Sequence, residues 1–454
     1  MVRSLCIRNA LRLATVVAAG TLTATALAAC GSSTPAQVGS ATSGNITWWG
    51  WTPQTNVGQQ YIAAFNKQYP NIKVTYKQVA TASYDAAIKP ALASSVGPDV
   101  FDMAPGGGIG SVQLYSGSAV DLAPVVKAKV GPNWKSDIAP IGLKGLTVNG
   151  KVDALSVGST YAGSIWINPG LFSKAGVTPP KTLDQWISDC KTFASKGITC
   201  FEQGAGDNGF NQDMLHAIAD SIHPGLWSEA VAGKAKWTNP DLVKAMTVFK
   251  SMFSDGIFQK GALGVQQYPD VNNDFLAGKT AMVMMGTWYM QYSTADGAAA
   301  AVSAAGVSGA KPFPMVAIPF PSITSANNPA PLFGDADYGV AVNVKSKQQK
   351  AAETFVTWLG TNAKAQQVVA DSLNDISSLK SVAPDWSSIK VVDQSTQEAA
   401  LKTLIASTSN VSEARLGDVG TALGQAIGDA LQAVGTGQQT PSAAMAQLQS
   451  SSGQ

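Results

Sequence analysis

The stretch Asp153 to Thr182, reading DALSVGSTYAGSIWINPGLFSKAGVTPPKT, constrains the fold of this chain more than any other. Its first half, Leu155 to Ile167, is apolar and β-branched and predicts an extended strand, interrupted by small residues at Gly158, Ser159, Ala162 and Gly163. Its second half predicts a short helix, Pro169 to Lys174, stopped by Gly176 and the Pro179-Pro180 pair. A strand softened in its middle and followed by a clean helix stop suits a segment that leaves one globular lobe and enters another. Length agrees, because 454 residues exceed what one hydrophobic core supports, and two lobes of roughly 150 to 200 residues are the expectation.

The N-terminus speaks to compartment. Arg3, Arg8 and Arg12 form a positive region, Leu13 to Ala29 is apolar and small, and no acidic residue precedes Asp85. This is the pattern of an export signal. The same run has the low charge of a membrane span, but Thr15, Gly20, Thr21, Thr23 and Thr25 dilute it, so cleavage is expected over anchoring. Its end, Leu27-Ala28-Ala29-Cys30, resembles the lipobox of bacterial lipoproteins, which implies a diacylglycerol on Cys30 and a flexible tether from Gly31 to Gly44.

Charge excludes one class of partner. Lys and Arg (31) nearly balance Asp and Glu (29), and charged residues make up only 13% of the chain. No extended basic face is implied, so nucleic acid is not an expected partner. Removing the signal shifts the formal charge from +2 to −1 by taking away three arginines. Cys6 leaves with the signal and Cys30 carries the lipid, which leaves Cys190 and Cys200. Outside the cytoplasm these are expected to form a disulfide, with two buried free thiols as the alternative. A zinc site at the cysteines is disfavoured because no histidine lies near either. His216 and His223 lie seven apart near one helix, but no carboxylate is matched to them in sequence, so no metal and no cofactor is expected.

From Asn45 onward the pattern is that of alternating strands and helices. Ile46 to Trp49 predicts a strand, Val57 to Tyr69 an amphipathic helix, and Ile72 to Tyr76 a second strand, a unit that builds parallel sheet. A helix from Ser83 to Ser94 and a strand from Val100 to Met103 follow. The glycine-rich loop Pro105 to Gly110 lacks the Lys-Ser/Thr of a phosphate loop, and is expected to let a ligand approach the backbone. Thr182 is expected to cap a helix running to Ser195, and Gly197 to Phe201 to deliver the polar loop Glu202 to Asn208. Helices are expected at Gln212 to Ile222, Asp241 to Ser254, Gln348 to Asp371 and over most of Gln397 to Leu448, and strands at Val316 to Pro319 and Tyr338 to Val344.

The order ITWWGW, FNKQYPNIKV, GPDVFDM, SIWINPGLFSKAGVTPPKTLDQW, FLAGKTAMVMMGTW, AAETFVTWL and GTGQQTPSAAMAQL resembles the extracellular solute-binding proteins of ABC sugar importers, the family that includes maltose-binding protein. The pieces Asn168 to Trp186 and Phe275 to Trp288 are the specific ones. The resemblance implies an α/β protein of two Rossmann-like lobes joined by a three-segment hinge, the type II architecture. Crossings are placed near Ser159 to Ala162, Pro319 to Pro321 and Asp371 to Ser377. The implied division is signal 1–29, tether 30–44, one lobe of 45–160 with 322–371, and another of 161–321 with 372–454. It further implies a lipid-anchored, monomeric receptor on the outer face of the cytoplasmic membrane, which takes a mono- or oligosaccharide in the cleft and passes it to ABC permease subunits.

Sugar capture explains the candidate residues. A pyranose has apolar C–H faces and an equator of hydroxyls, so it calls for flat aromatic surfaces with donors and acceptors around them. Strand ends of an open α/β sheet are where these belong. That rule selects Trp49, Trp51, Asp102, Tyr161, Glu202, Asp207, Trp288, Asp335, Asp337, Asn374 and Asp375. The resemblance adds Arg415 and singles out Trp288 as the indole that stacks on solute. Trp48 and Trp49 face opposite ways in one strand, so one belongs to core. A glycosidase using Glu202 and Asp335 as its two carboxylates is the alternative, and a structural lipoprotein without a closing cleft is a third possibility. No nucleophile elbow or metal signature supports catalysis, and the expected protein is not an enzyme.

Overall fold

The computed structural model describes residues 39–324 and 329–453. The expected signal and Cys30 lie outside these residues. The end of the expected tether does not: Thr354 Oγ1 donates to the Ala41 carbonyl at 2.9 Å, and Gly44 already belongs to the first strand, β1 (Gly44–Gly50).

Period-two burial organises that strand. Ile46 and Trp48 face a core while Thr47 and Trp49 face the opposite side. Strands β2 (Ile72–Gln78) and β3 (Val100–Met103) lie parallel on either side of it. The Thr55–Gln68 helix covers one face with Val57, Tyr61, Ile62 and Phe65, and Tyr84, Phe101 and Met103 build the core on the other face. A hairpin of β4 (Thr147–Val148) and β5 (Lys151–Val152) leads into β6 (Leu155–Ala162), which is buried along its whole length.

The softened stretch is where the chain changes sheets. Gly163 has φ +100°, a conformation closed to side-chain-bearing residues at low cost, and it ends β6 and starts β7 (Ser164–Ile167). What reads as one strand from Leu155 to Ile167 is thus two strands in two sheets. The second sheet has four strands in the order β10-β7-β9-β8, with β8 (Thr199–Glu202), β9 (Thr280–Met285) and β10 (Val316–Pro319). Asn168 caps the short helix that follows β7, which Gly176 ends in the left-handed conformation. Thr182 caps the next helix, Leu183–Ser195, whose Trp186, Cys190 and Phe193 are buried at helical spacing.

The first sheet is completed by strands from far along the chain, in the order β12-β6-β11-β3-β1-β2, where β11 is Phe333–Val342 and β12 is Ile376–Ser377. Strand β11 is antiparallel to both neighbours, so the sheet is mixed. Two later stretches link the sheets again. Ser322 still accompanies the second sheet, its carbonyl accepting from Leu183 N and Ile323 N donating to Ser221 Oγ. The chain joins the first sheet at Phe333, opposite Ala162. After the Ala363–Asp371 helix, Leu373 and Ile376 already meet the other core while β12 pairs with β6 and Leu379 packs with the first sheet; Trp386, Ile389 and Val391 then lie with the other core.

A disulfide joins Cys190 to Cys200, with Cα atoms 5.0 Å apart, tying the Leu183–Ser195 helix to β8. In the chain-entropy account a loop this short adds at most about 3 kcal/mol. Cys190→Ser is therefore expected to lower the urea-unfolding free energy by up to that amount. Thiol reagents are expected to leave both cysteines of the unfolded, unreduced protein unlabelled; labelling of both would remove the bond.

Candidate functional site

Strand β9 ends at Met285, and its next three residues pack at the edge of the second-sheet core, where Trp288 is buried. Gly286 must lack a side chain, since a Cβ there would sit 2.0 Å from the Trp288 ring and 2.5 Å from the Tyr161 carbonyl. Thr287 Oγ1 accepts from Tyr161 N at 3.0 Å, joining this end of β9 to the last turn of β6. Trp288 is thereby laid over the point where the chain passes between sheets. Its Nε1 donates to Tyr268 Oη at 3.1 Å, Phe210 meets its edge at 6.2 Å, and the Arg415 guanidinium lies 4.6 Å from its ring centre.

Arg415 comes from an irregular segment, 411–420, between the helices Gln394–Ser407 and Thr421–Gly435. Asp213 of the Asn208–Ile222 helix grips it with both carboxylate oxygens, at 2.6 to 3.0 Å. The side chains are 15% and 3% exposed, so this is a desolvated pair. Beyond it, from the first sheet, lie the buried carboxyls of Asp337 and Asp375, close enough to shift each other's titration. Burial pushes Asp337 up to about 6 against the lowering charge of Arg415. Burial, and then the Asp337 charge, push Asp375 well above the usual carboxylate range. Asn374 Nδ2 donates to Asp375 at 2.6 Å, while Asn374 Oδ1 receives no hydrogen bond from the protein. Gln54, at the start of the first helix, donates across to Tyr292 Oη at 2.9 Å.

The carboxylates have a consequence for stability. Asp335 and Asp337 are held near 6 in the folded protein, above the ordinary Asp value of 3.8. Raised acids stabilise the fold while protonated, so their contribution is complete below about pH 4 and is lost as pH rises through about 6. The sugar-free protein is expected to melt at a higher temperature at pH 5 than at pH 7. Calorimetry showing equal or lower stability at pH 5 would contradict these environments.

Several candidates sit elsewhere. Asp102 is 0% exposed, and its Oδ1 accepts from Trp48 Nε1 at 2.7 Å inside the first sheet, while its Oδ2 has no hydrogen-bond partner. Trp49 packs partly buried against the core of Tyr84, Phe101 and Met103, with Lys77 Nζ 3.7 Å from its ring centre. Trp51 packs edge-on against Tyr84 and Tyr338, in the first-sheet wall. Glu202, on the sheet-edge strand β8, is raised to about 7 by burial and the charge of Asp274, opposed by Lys279; these are residues of the turn before β9, not of its far end. Asp207 caps the Asn208–Ile222 helix by accepting from Gly209 N at 3.0 Å, although the charge of Arg415 reaches it. Asp335 spends one oxygen on the amides of Leu416 and Gly417, at 2.6 and 2.7 Å, and so holds segment 411–420. The glycine-rich loop has the same partner: Gly107 N donates to Val419 O at 3.1 Å, and the backbone that approaches it is the protein's own. Phe210, Asp213, Tyr268, Gln54 and Tyr292 were not selected from sequence. Asp213 alone left a trace there, since a buried arginine requires a counter-ion.

The model of the bacterial extracellular solute-binding proteins matches residues 51–366. The chain belongs to this family. A galactooligosaccharide-binding protein of Bacillus subtilis is 24% identical over 376 residues, covering 79% of each chain. Among solved structures, one from work on xylan utilisation by Caldanaerobius polysaccharolyticus superposes with a TM-score of 0.70 at 23% identity, covering 89% of this chain and 99% of that one. The GacH receptor of Streptomyces glaucescens, solved unliganded and with acarbose, gives 0.67 at 20% identity, covering 90% and 97%. The two solved structures share the fold described above, and the family is one of bacterial extracellular proteins. No helix among the described residues is long and apolar enough to cross a membrane.

Proposed function

We propose that this solute-binding protein captures a neutral oligosaccharide between its two sheets and delivers it to the permease of an ABC importer, while tethered to the outer face of the membrane by lipid on Cys30. The observation that carries the sugar reading is the meeting of the Trp288 indole with a buried guanidinium, 4.6 Å from its ring centre, beside the carboxyls of Asp337 and Asp375. An aromatic plane suits a pyranose C–H face, and Arg415, Asp337, Asp375 and the free Asn374 Oδ1 offer donors and acceptors to its hydroxyls. One cation set against several acids disfavours an anionic solute. The galactooligosaccharide- and acarbose-binding relatives support the same ligand class. A solute touching both sheets makes its full contacts only when they are closed together, and that difference in affinity is what shifts the population.

The division into two lobes supports this reading, with the exchange points taken at Gly163, near Phe333, and between Leu379 and Trp386. The glycosidase alternative loses its pair: Glu202 faces Asp274 and Lys279, whereas Asp335 faces Leu416, Gly417 and Arg415. A panel of oligosaccharides followed by melting and by chromatography separates the readings. At 100 times its dissociation constant the right sugar stabilises by about 2.7 kcal/mol and is recovered unchanged. Turnover would favour the enzyme, and no shift with any sugar would remove the receptor.

A further inference from the structure

We propose that His216, Asp220 and Glu413 form a binding site for a divalent transition-metal ion of the zinc class, joining the Asn208–Ile222 helix to segment 411–420. The sequence matched no carboxylate to His216; the fold brings it two. Asp220 Oδ2 and Glu413 Oε2 lie 3.0 and 3.4 Å from the same Nε2, and all three donor atoms are within 4.8 Å of one another. Ligands of a tetrahedral ion with bonds of about 2.0–2.1 Å are separated by roughly 3.3 Å. The spacing fits such an ion.

Hydrogen bonding does not account for the cluster. One Nε2 can direct one hydrogen at one acceptor, and Glu413 takes that position. Asp220 is 0% exposed, and neither of its oxygens receives a hydrogen bond despite the close approach. Two carboxylates around one imidazole leave negative charge in a desolvated place, which a proton on the ring would only half cancel and a divalent ion would cancel fully. One nitrogen and two carboxylate oxygens make a donor set suited to zinc and its neighbours, and unlike the all-oxygen sets of calcium or magnesium.

The site is rigid and reachable. His216 is sandwiched between Phe333, at 3.7 Å, and Trp227, at 5.0 Å, with both rings nearly parallel to it. These rings fix its direction in place of a partner on Nδ1, which has none. Ser228 Oγ donates to Glu413 Oε2 and orients that carboxylate from outside. Glu413 is 14% exposed and lines a groove of about 480 Å³ together with Asp335 and Asp418, so one member of the cluster is open to solvent. The ion would fasten the segment that carries Arg415 two residues further on.

The test uses the purified protein with a histidine-free tag, stripped with chelator and titrated calorimetrically with Zn²⁺ alone, in the absence of sugar. The expected result is one equivalent bound, at least tenfold weaker in Glu413→Gln and in Asp220→Asn, with circular dichroism confirming that the variants are folded. Ca²⁺ is expected to give no saturable binding. Absence of stoichiometric Zn²⁺ binding by the unaltered protein, binding unchanged in a folded Glu413→Gln, or preference for Ca²⁺ would each overturn the proposal. Because no sugar is present, the outcome is independent of the receptor reading.

Discussion

Replacing Trp288 by alanine is expected to weaken oligosaccharide binding by roughly 30-fold or more in titration calorimetry, a loss of about 2 kcal/mol. The indole is the largest flat surface at the junction of the sheets, and it is presented by contacts that leave it little freedom: Tyr268 on its nitrogen, Phe210 at its edge, and Gly286 beneath it. The same contacts mean that the ring also supports the fold. Only 8% of it is exposed, and removing so buried an aromatic costs about 3–5 kcal/mol of stability. Trp288→Phe separates the two roles. It keeps a ring against Gly286 but loses the hydrogen bond to Tyr268, so stability should largely survive while affinity falls to an intermediate value. Full affinity in either variant would take Trp288 out of the site.

The second large effect is at Arg415. Removing one member of a buried ion pair leaves the other charged and desolvated, at a cost of about 3–5 kcal/mol. The two members are not equivalent here. Arg415→Ala strips the cation from Asp213 and also from Asp337 and Asp335, whose charges it offsets. Asp213→Asn leaves the guanidinium still facing the two first-sheet carboxylates. Arg415→Ala is thus expected to lower the urea-unfolding free energy more than Asp213→Asn, and to abolish measurable sugar binding. The reverse order, or two equal and small effects, would show that the guanidinium does not hold this cluster together.

How much of this was legible in the sequence depended on whether a signal was local. The capping of the Leu183–Ser195 helix by Thr182, the stop at Gly176 and the buried strand Thr280–Met285 all follow from neighbouring residues, and the structure has each of them, although Trp288 lies past that strand in a 3-10 turn, Thr287–Ser293. The change of sheets within Leu155 to Ile167 was marked by its small residues, and Gly163 alone carries it. What could not be read was tertiary. Segment 411–420 lies between helix-forming stretches and holds no motif, yet its backbone and side chains meet Asp335, Gly107, Asp213 and Trp288. Strand-end position likewise selected Asp102 and Glu202, but it does not tell which face of a strand or which edge of a sheet a carboxylate occupies. Asp102 went to the indole of Trp48, and Glu202 to the turn of Asp274 and Lys279.

The most direct measurement is a crystal structure of the protein with the tightest-binding sugar of the panel. The account predicts a pyranose ring lying on the Trp288 indole, with hydroxyls in hydrogen-bond reach of Arg415 and of Asp337 or Asp375. A sugar bound away from Trp288, for instance only in the groove beside Lys144 and Asp418, would contradict it.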